Sequence, residues 1–150
     1  MSATEETGPL LRICGLLNDA GANYLVAGAY AMILNSVIRA TEDVDILIED
    51  SPENFLRVIN GLSNLADGAA RELTPNDFAE NVVVKIADEI EVDVTKSAWT
   101  VTYAEAVKNA QIVVIDDIRI PYLSLEDLIR SKLTQRAQDQ ADVERLGRLR

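Results

Sequence analysis

Histidine is absent from the 150-residue chain. That excludes Ser-His-Asp and Cys-His catalysis, histidine-ligated zinc and histidine general bases. Chemistry here has to run on carboxylates, lysine, arginine, hydroxyls or a bound metal. Cysteine occurs once, as Cys14 in an apolar stretch. One thiol makes no disulfide within the chain, so a cytoplasmic setting is expected, with Cys14 as a small buried hydrophobe. No apolar run approaches the roughly 20 residues of a membrane span. The opening MSATEETGP is acidic and polar, unlike a secretory signal. Positive charge is scarce: 14 Lys and Arg stand against 25 Asp and Glu, a net charge of −11. Broad, sequence-independent nucleic-acid binding needs clustered positive charge and is not expected. A local basic set does gather near the C-terminal end: Arg130, Lys132, Arg136, Arg145, Arg148 and Arg150.

What is present suits one domain with one core: the length is right for it, and 48% of the residues are apolar. Residues 1–8 are expected to fray. Pro9–Ala20 has helical spacing of Leu10, Ile13, Cys14 and Leu17, with Gly21 after the end. Tyr24–Ala27 reads as a short strand broken by Gly28, and Ala29–Val37 as a helix. A polar link with Arg39, Thr41 and Glu42 follows. Val44, Ile46 and Ile48 then alternate with Asp45 and Leu47, a period-2 pattern that reads as a strand over Val44–Ile48 and places Asp43 and Asp45 on one side. Ser51-Pro52-Glu53 opens a helix, with serine as cap and proline in the first turn. Ala66–Asp77, with Gly68, Pro75 and Asn76, reads as a mobile loop. Asn81–Ala87 and Ile90–Thr95 read as two strands joined by a tight turn at Asp88-Glu89, with Glu91, Asp93 and Thr95 facing away from Val92 and Val94. Thr102–Ala110 fits a short helix with Thr102 and Glu105 at capping-box spacing. Gln111–Ile115 and Ile118–Pro121 fit a hairpin about Asp116-Asp117. From Ser124 the chain reads as helical, with Leu125, Leu128, Ile129 and Leu133 on one face and Val143, Leu146 and Leu149 on the last helix. Helices and strands mix without a strict βαβ rhythm, which predicts an α/β or α+β fold with a mixed sheet flanked by helices.

Single motifs here are weak. With 13 Asp in the chain, about one Asp-x-Asp pair arises by chance. Order and spacing carry more: strand, Gly28, helix, then Arg39-x-Thr41-x-Asp43-x-Asp45 opening a strand. Backbone N–H groups at a helix start hold phosphate oxygens, and same-side carboxylates hold Mg²⁺. Arg39 suits phosphate charge and Thr41 a phosphate hydrogen bond; an exposed surface arginine fits the same spacing. Asp93 belongs beside Asp43 and Asp45, or else on a solvated acidic face. On a continuous helix Lys132, Arg136 and Asp139 fall on one face. The helix then either docks behind the metal site with Lys132 reaching the triphosphate, or presents a charged outer face stabilised by local ion pairs.

Taken together, Gly28-Ala29, Arg39-Ala-Thr41-Glu-Asp43-Val-Asp45, Asp93 within Glu-Val-Asp-Val, Ser124-Leu-Glu-Asp-Leu, Lys132, Arg136, Asp139 and Asp142 resemble the nucleotidyltransferase superfamily with the DNA-polymerase-β-like fold. They look most like its small bacterial members, the AbiEii-type abortive-infection toxins and minimal nucleotidyltransferases. The resemblance covers roughly residues 23 to 149. It implies transfer of a nucleoside monophosphate from an NTP to a hydroxyl of an RNA, protein or small-molecule acceptor. Asp43, Asp45 and Asp93 then hold Mg²⁺ (or Mn²⁺) and carry the chemistry. Gly28, Ala29, Arg39, Thr41 and Lys132 bind nucleotide, supported by Arg136 and Asp139. A toxin–antitoxin role, a protein partner or a homodimer is also implied. Ala29 departs from the family's Gly or Ser: it brings no hydroxyl, and its methyl crowds a close phosphate. That departure keeps a second reading open, a fold retained for binding or regulation without turnover.

Overall fold

The computed structural model describes residues 6–41 and 43–150. Helix α1 (Gly8–Asp19) starts with proline in its first turn and buries Leu10, Leu11, Ile13, Cys14 and Leu17. Strand β1 (Tyr24–Val26) is buried throughout. Helix α2 (Gly28–Leu34) leads through a link to β2 (Val44–Ile48), and α3 (Pro52–Leu62) follows. The Ser51 hydroxyl caps α3 by accepting from the Asn54 amide, as its sequence predicts. Helix α4 (Pro75–Glu80), strands β3 (Val83–Ala87) and β4 (Glu91–Thr95), and a small hairpin of β5 (Ser97–Ala98) and β6 (Val101–Thr102) come next. The chain closes with α5 (Tyr103–Ala106), β7 (Gln111–Ile115), β8 (Ile118–Tyr122), α6 (Leu125–Ser131) and α7 (Ala137–Gly147). Among these elements no helix is long and apolar enough to cross a membrane.

Six strands form one mixed sheet in the order β3-β4-β2-β1-β8-β7. β2 is parallel to β4 and antiparallel to β1, and β1 is parallel to β8. The central position of β1 explains its unbroken apolar sequence, since both faces are covered. Helix α1 packs on α3 and β8, α2 on β2 and α6, and α6 on α7. One buried cluster runs from Leu10 to Leu146 and joins these layers.

Several expectations need correction. Ala66–Asp77 is not an open loop. Asp67 and Ala69 donate backbone N–H groups to the Asp88 carboxylate, a 3₁₀ turn spans Ala69–Glu72, and Thr74 and Asp77 form a capping box into α4. Phe78 then stacks on Phe55 with ring centroids 5.6 Å apart. Of the stretch expected to fray, residues 1–5 lie outside the described residues. From Glu6 the chain is engaged: its carbonyl accepts the Tyr30 hydroxyl at 2.6 Å. Helix α2 stops at Leu34 rather than Val37. Ser36 takes a left-handed φ of 73°, and the Ser36 and Val37 amides donate to Ile33 and Met32, a Schellman ending. The helix after Thr102 shortens to Tyr103–Ala106 and tightens into a 3₁₀ turn, and the Thr102 side chain caps no backbone N–H. The C-terminal helix breaks between Ser131 and Ala137, which leaves Leu133 exposed; Leu149 lies past the end of α7 and is exposed too.

Candidate active site

The parallel register of β2 and β4 sets Asp45 directly opposite Asp93. The two carboxylates are close enough to share a hydrogen bond, and that needs a proton. Burial, then the charge and hydrogen bond of Asp93, then the charge of Asp43 push Asp45 up to about 6, while Lys132 pulls it down. Asp43 sits one residue before β2. Its contact with Glu91 raises the Glu91 carboxyl above its ordinary range, so the acidic group has a fourth member that motif reading left out. The alternation of β4 was the available signal, since Glu91 shares the outward face with Asp93.

Gly28 stands against this pair. Its φ is +58°, and a Cβ there would lie 2.1 Å from Asp45 Oδ2 and 2.9 Å from Asp45 Cβ. Glycine is therefore required twice, by backbone conformation and by the approach of the carboxylate. The Ala27 amide donates to the Asp45 carbonyl at 2.9 Å and ties the α2 start to the acidic strand. Ala29 follows as the second residue of α2 and lines the same cleft.

The C-terminal cations arrive differently from expectation but meet the same groups. Lys132 ends α6, and Arg136 caps α7, so they do not share a helix face. The break instead folds Lys132 back onto α7. Its ammonium lies 2.9 Å from Asp142 Oδ2 and 3.8 Å from Asp139 Oδ1. Asp142 is fully buried, and its other oxygen accepts from Gln138 at 3.0 Å and faces Arg39 Nε at 3.5 Å. Asp139 accepts from the Thr134 hydroxyl at 2.6 Å, with Arg136 Nε 3.9 Å away. The Thr41 hydroxyl donates to the Asp43 carbonyl at 2.9 Å and stiffens the entry to β2. Arg145 donates to the Ile38 carbonyl, so α7 clasps the link that carries Arg39.

Gly28, Ala29, Arg39, Thr41, Asp43, Asp45, Asp93, Lys132, Arg136 and Asp139, the whole expected set, line one open cleft of about 1540 Å³. Other residues line it too, and two of them, Lys85 and Trp99, have chemistry that no motif announced. Lys85 pairs with Asp93 in register, with Nζ 3.7 Å from Oδ1. Trp99 projects from the β5–β6 turn and is 57% exposed.

The residues fit an anionic ligand and a hard cation. Arg39 Nε is buried against Asp142 at 3.5 Å without a hydrogen bond among the described residues, while its side chain stays 26% exposed and lines the cleft, a guanidinium placed to meet phosphate oxygens. The acidic donors are all carboxylate oxygens, which suit Mg²⁺ or Mn²⁺. Among the described residues no three acidic or cysteine side chains form a ready-made metal cage. Mg²⁺ is commonly held by only one or two carboxylates, with water and phosphate oxygens completing the shell, so an open pair is compatible.

The mixed six-stranded sheet, with its flanking helices, is a nucleotidyltransferase-like fold. Among solved structures the chain is similar to a "putative nucleotidyltransferase" from Thermotoga maritima, at 18% identity and a TM-score of 0.59. The match covers 97% of this chain and 93% of that one. Likeness at this identity defines the fold alone. No protein-family model matches the chain, and no curated protein matches it.

Proposed function

We propose that this protein is a metal-dependent nucleotidyltransferase that moves a nucleoside monophosphate from an NTP to an acceptor hydroxyl. The observation that carries this reading is the Asp45–Asp93 pair across parallel strands, set against Gly28 in a cleft that also holds Arg39 and Lys132. Asp43, Asp45 and Asp93 would hold Mg²⁺ or Mn²⁺. When bound, the metal lowers the acceptor hydroxyl's pKa and offsets charge on the triphosphate. The α-phosphorus gains a bond to the acceptor oxygen and loses its bond to the pyrophosphate oxygen. Asp93 takes the hydroxyl proton, since the chain has no histidine to do so. Arg39 and Lys132 neutralise the leaving pyrophosphate. Asp142 presents both cations, because one buried carboxylate faces the Arg39 guanidinium and the Lys132 ammonium together. The acidic balance of the chain favours a cationic small-molecule acceptor over a long RNA. A role in abortive infection, alongside a protein partner, rests on the sequence resemblance.

A second reading, nucleotide binding without turnover, is favoured by one observation. The Lys132 ammonium already sits between Asp139 and Asp142, so a triphosphate must compete for it. Labelled NTP separates the readings. With label on the α-phosphate, transfer to material in a cell extract is expected, equimolar with released pyrophosphate, and its destination identifies the acceptor. With label on the γ-phosphate, the acceptor stays unlabelled. Binding with no α-label transfer to any extract or to cationic small molecules leaves the non-enzymatic reading.

A further inference from the structure

Trp99 is the only tryptophan in the chain and, among the described residues, the only aromatic lining the cleft. It occupies the two-residue turn between β5 and β6, where Ala98 pairs with Val101. Its φ is +57°. Glycine is the usual residue at a positive-φ position of such a turn, and a bulky side chain there is an outlier. The turn is nevertheless firmly made. The Thr95 hydroxyl donates to the Ser97 carbonyl at 2.6 Å, the Ser97 hydroxyl to the Trp99 carbonyl at 3.1 Å, and Val101 is fully buried. The backbone is thus fixed by its neighbours while the indole stands 57% exposed. Packing does not explain it: the largest apolar side chain available is held in an unfavourable conformation and left uncovered. Strain of this kind at the edge of a cleft points to use rather than to stability.

The cleft's charged groups account for the triphosphate and its metal. Arg39 and Lys132 come from the links before β2 and after α6, and the carboxylates from β2 and β4. The one uncharged, planar part is the base. We infer that Trp99 is the stacking platform for the nucleobase, in a cleft that Ala98 and half-exposed Val83 also line. This rests on the nucleotide-transfer reading and adds a specificity-determining residue to it. Stacking tolerates every base because each presents a π-face, so Trp99 selects nucleotides over bare polyphosphate rather than one base over another.

A single indole makes the test direct. Wild-type protein is titrated in Mg²⁺ with ATP, CTP, GTP and UTP, and separately with inorganic tripolyphosphate, while tryptophan emission and heat are recorded. Affinities are then compared for Trp99→Phe and Trp99→Gly. All four NTPs are expected to quench the emission, and tripolyphosphate to bind without doing so. Trp99→Phe keeps near wild-type affinity, whereas Trp99→Gly binds NTP about tenfold more weakly and tripolyphosphate equally well. Because glycine relieves the turn, the Gly variant melts no lower than wild type. NTP heat with unchanged emission and undiminished affinity in Trp99→Gly overturns the stacking role and leaves the transferase reading standing. A lower melting temperature for the Gly variant assigns the ring to packing and also overturns it. Absence of NTP heat in the wild type overturns both.

Discussion

Asp45→Asn is expected to cut nucleotidyl transfer by at least about a hundredfold and, in the same protein, to raise the melting temperature of the nucleotide-free form. Asp45 is largely buried, lies opposite Asp93 and near Asp43, and carries a folded-state pKa of about 6 against an ordinary 3.8. A raised folded pKa means that the native state holds the proton more tightly than the unfolded chain. Its contribution to stability is therefore complete below about pH 3.8 and is lost as the pH climbs through about 6. At neutral pH without divalent metal the ionised pair costs on the order of 1–3 kcal/mol. Asparagine removes that charge while keeping the shape, and its amide donates to Asp93. Melting in chelator at pH 5 and pH 7.5 checks this. Wild type should lose stability over that range, and Asp45→Asn should lose much less. A variant that melts well below wild type at pH 7.5 would make Asp45 a structural residue.

Gly28→Ala should be the most damaging one-methyl change in the molecule. The new Cβ meets Asp45 Oδ2 at 2.1 Å, Cγ at 2.7 Å and Cβ at 2.9 Å. The carboxylate alone can rotate away, but Asp45 Cβ belongs to a strand paired on both sides, by β1 and β4, and cannot. The φ of +58° adds strain for any residue with a side chain. The expected cost is about 1–3 kcal/mol. Transfer falls as far as in Asp45→Asn, because whatever relieves the clash moves the carboxylate. Gly21→Ala is the control: its φ is also positive, at +71°, but its Cβ meets nothing within 4 Å. It should lose stability through strain alone and keep activity. Equal activity in Gly28→Ala and wild type would mean that Asp45 need not stay where it is.

Strand β4 was legible because burial on one face imposes alternation, whereas β2 is buried on both faces except at Asp45, so there the acidic residue itself marks the open side. What alternation leaves free is register. A two-residue turn at Asp88-Glu89 would set Val84 opposite Asp93. The connection actually spans three residues, Asp88–Ile90, so that Ala87 pairs with Glu91 and Lys85 with Asp93. The Asp88 side chain accounts for the difference. It accepts from the Asp67, Ala69 and Glu89 amides, and such long-range clamps carry no local pattern. They also turn a segment that reads as loop into fixed structure. Lys132 shows the converse. Continuous helical spacing put it near Asp139, and the helix breaks, yet the chain reversal after Ser131 delivers the same pair and adds Asp142. Trp99 escaped because nothing local distinguishes an exposed turn tryptophan from a buried one. Its meaning comes from the cleft around it.

The most direct measurement is a calorimetric titration with Mg²⁺ and each NTP, run on wild type beside Asp43→Asn/Asp45→Asn. The predicted result is metal-dependent NTP binding in the wild type that disappears in a double variant with an intact fold. Equal binding by both proteins, or no binding of any NTP at millimolar concentration, contradicts the assignment of this cleft to nucleotidyl transfer.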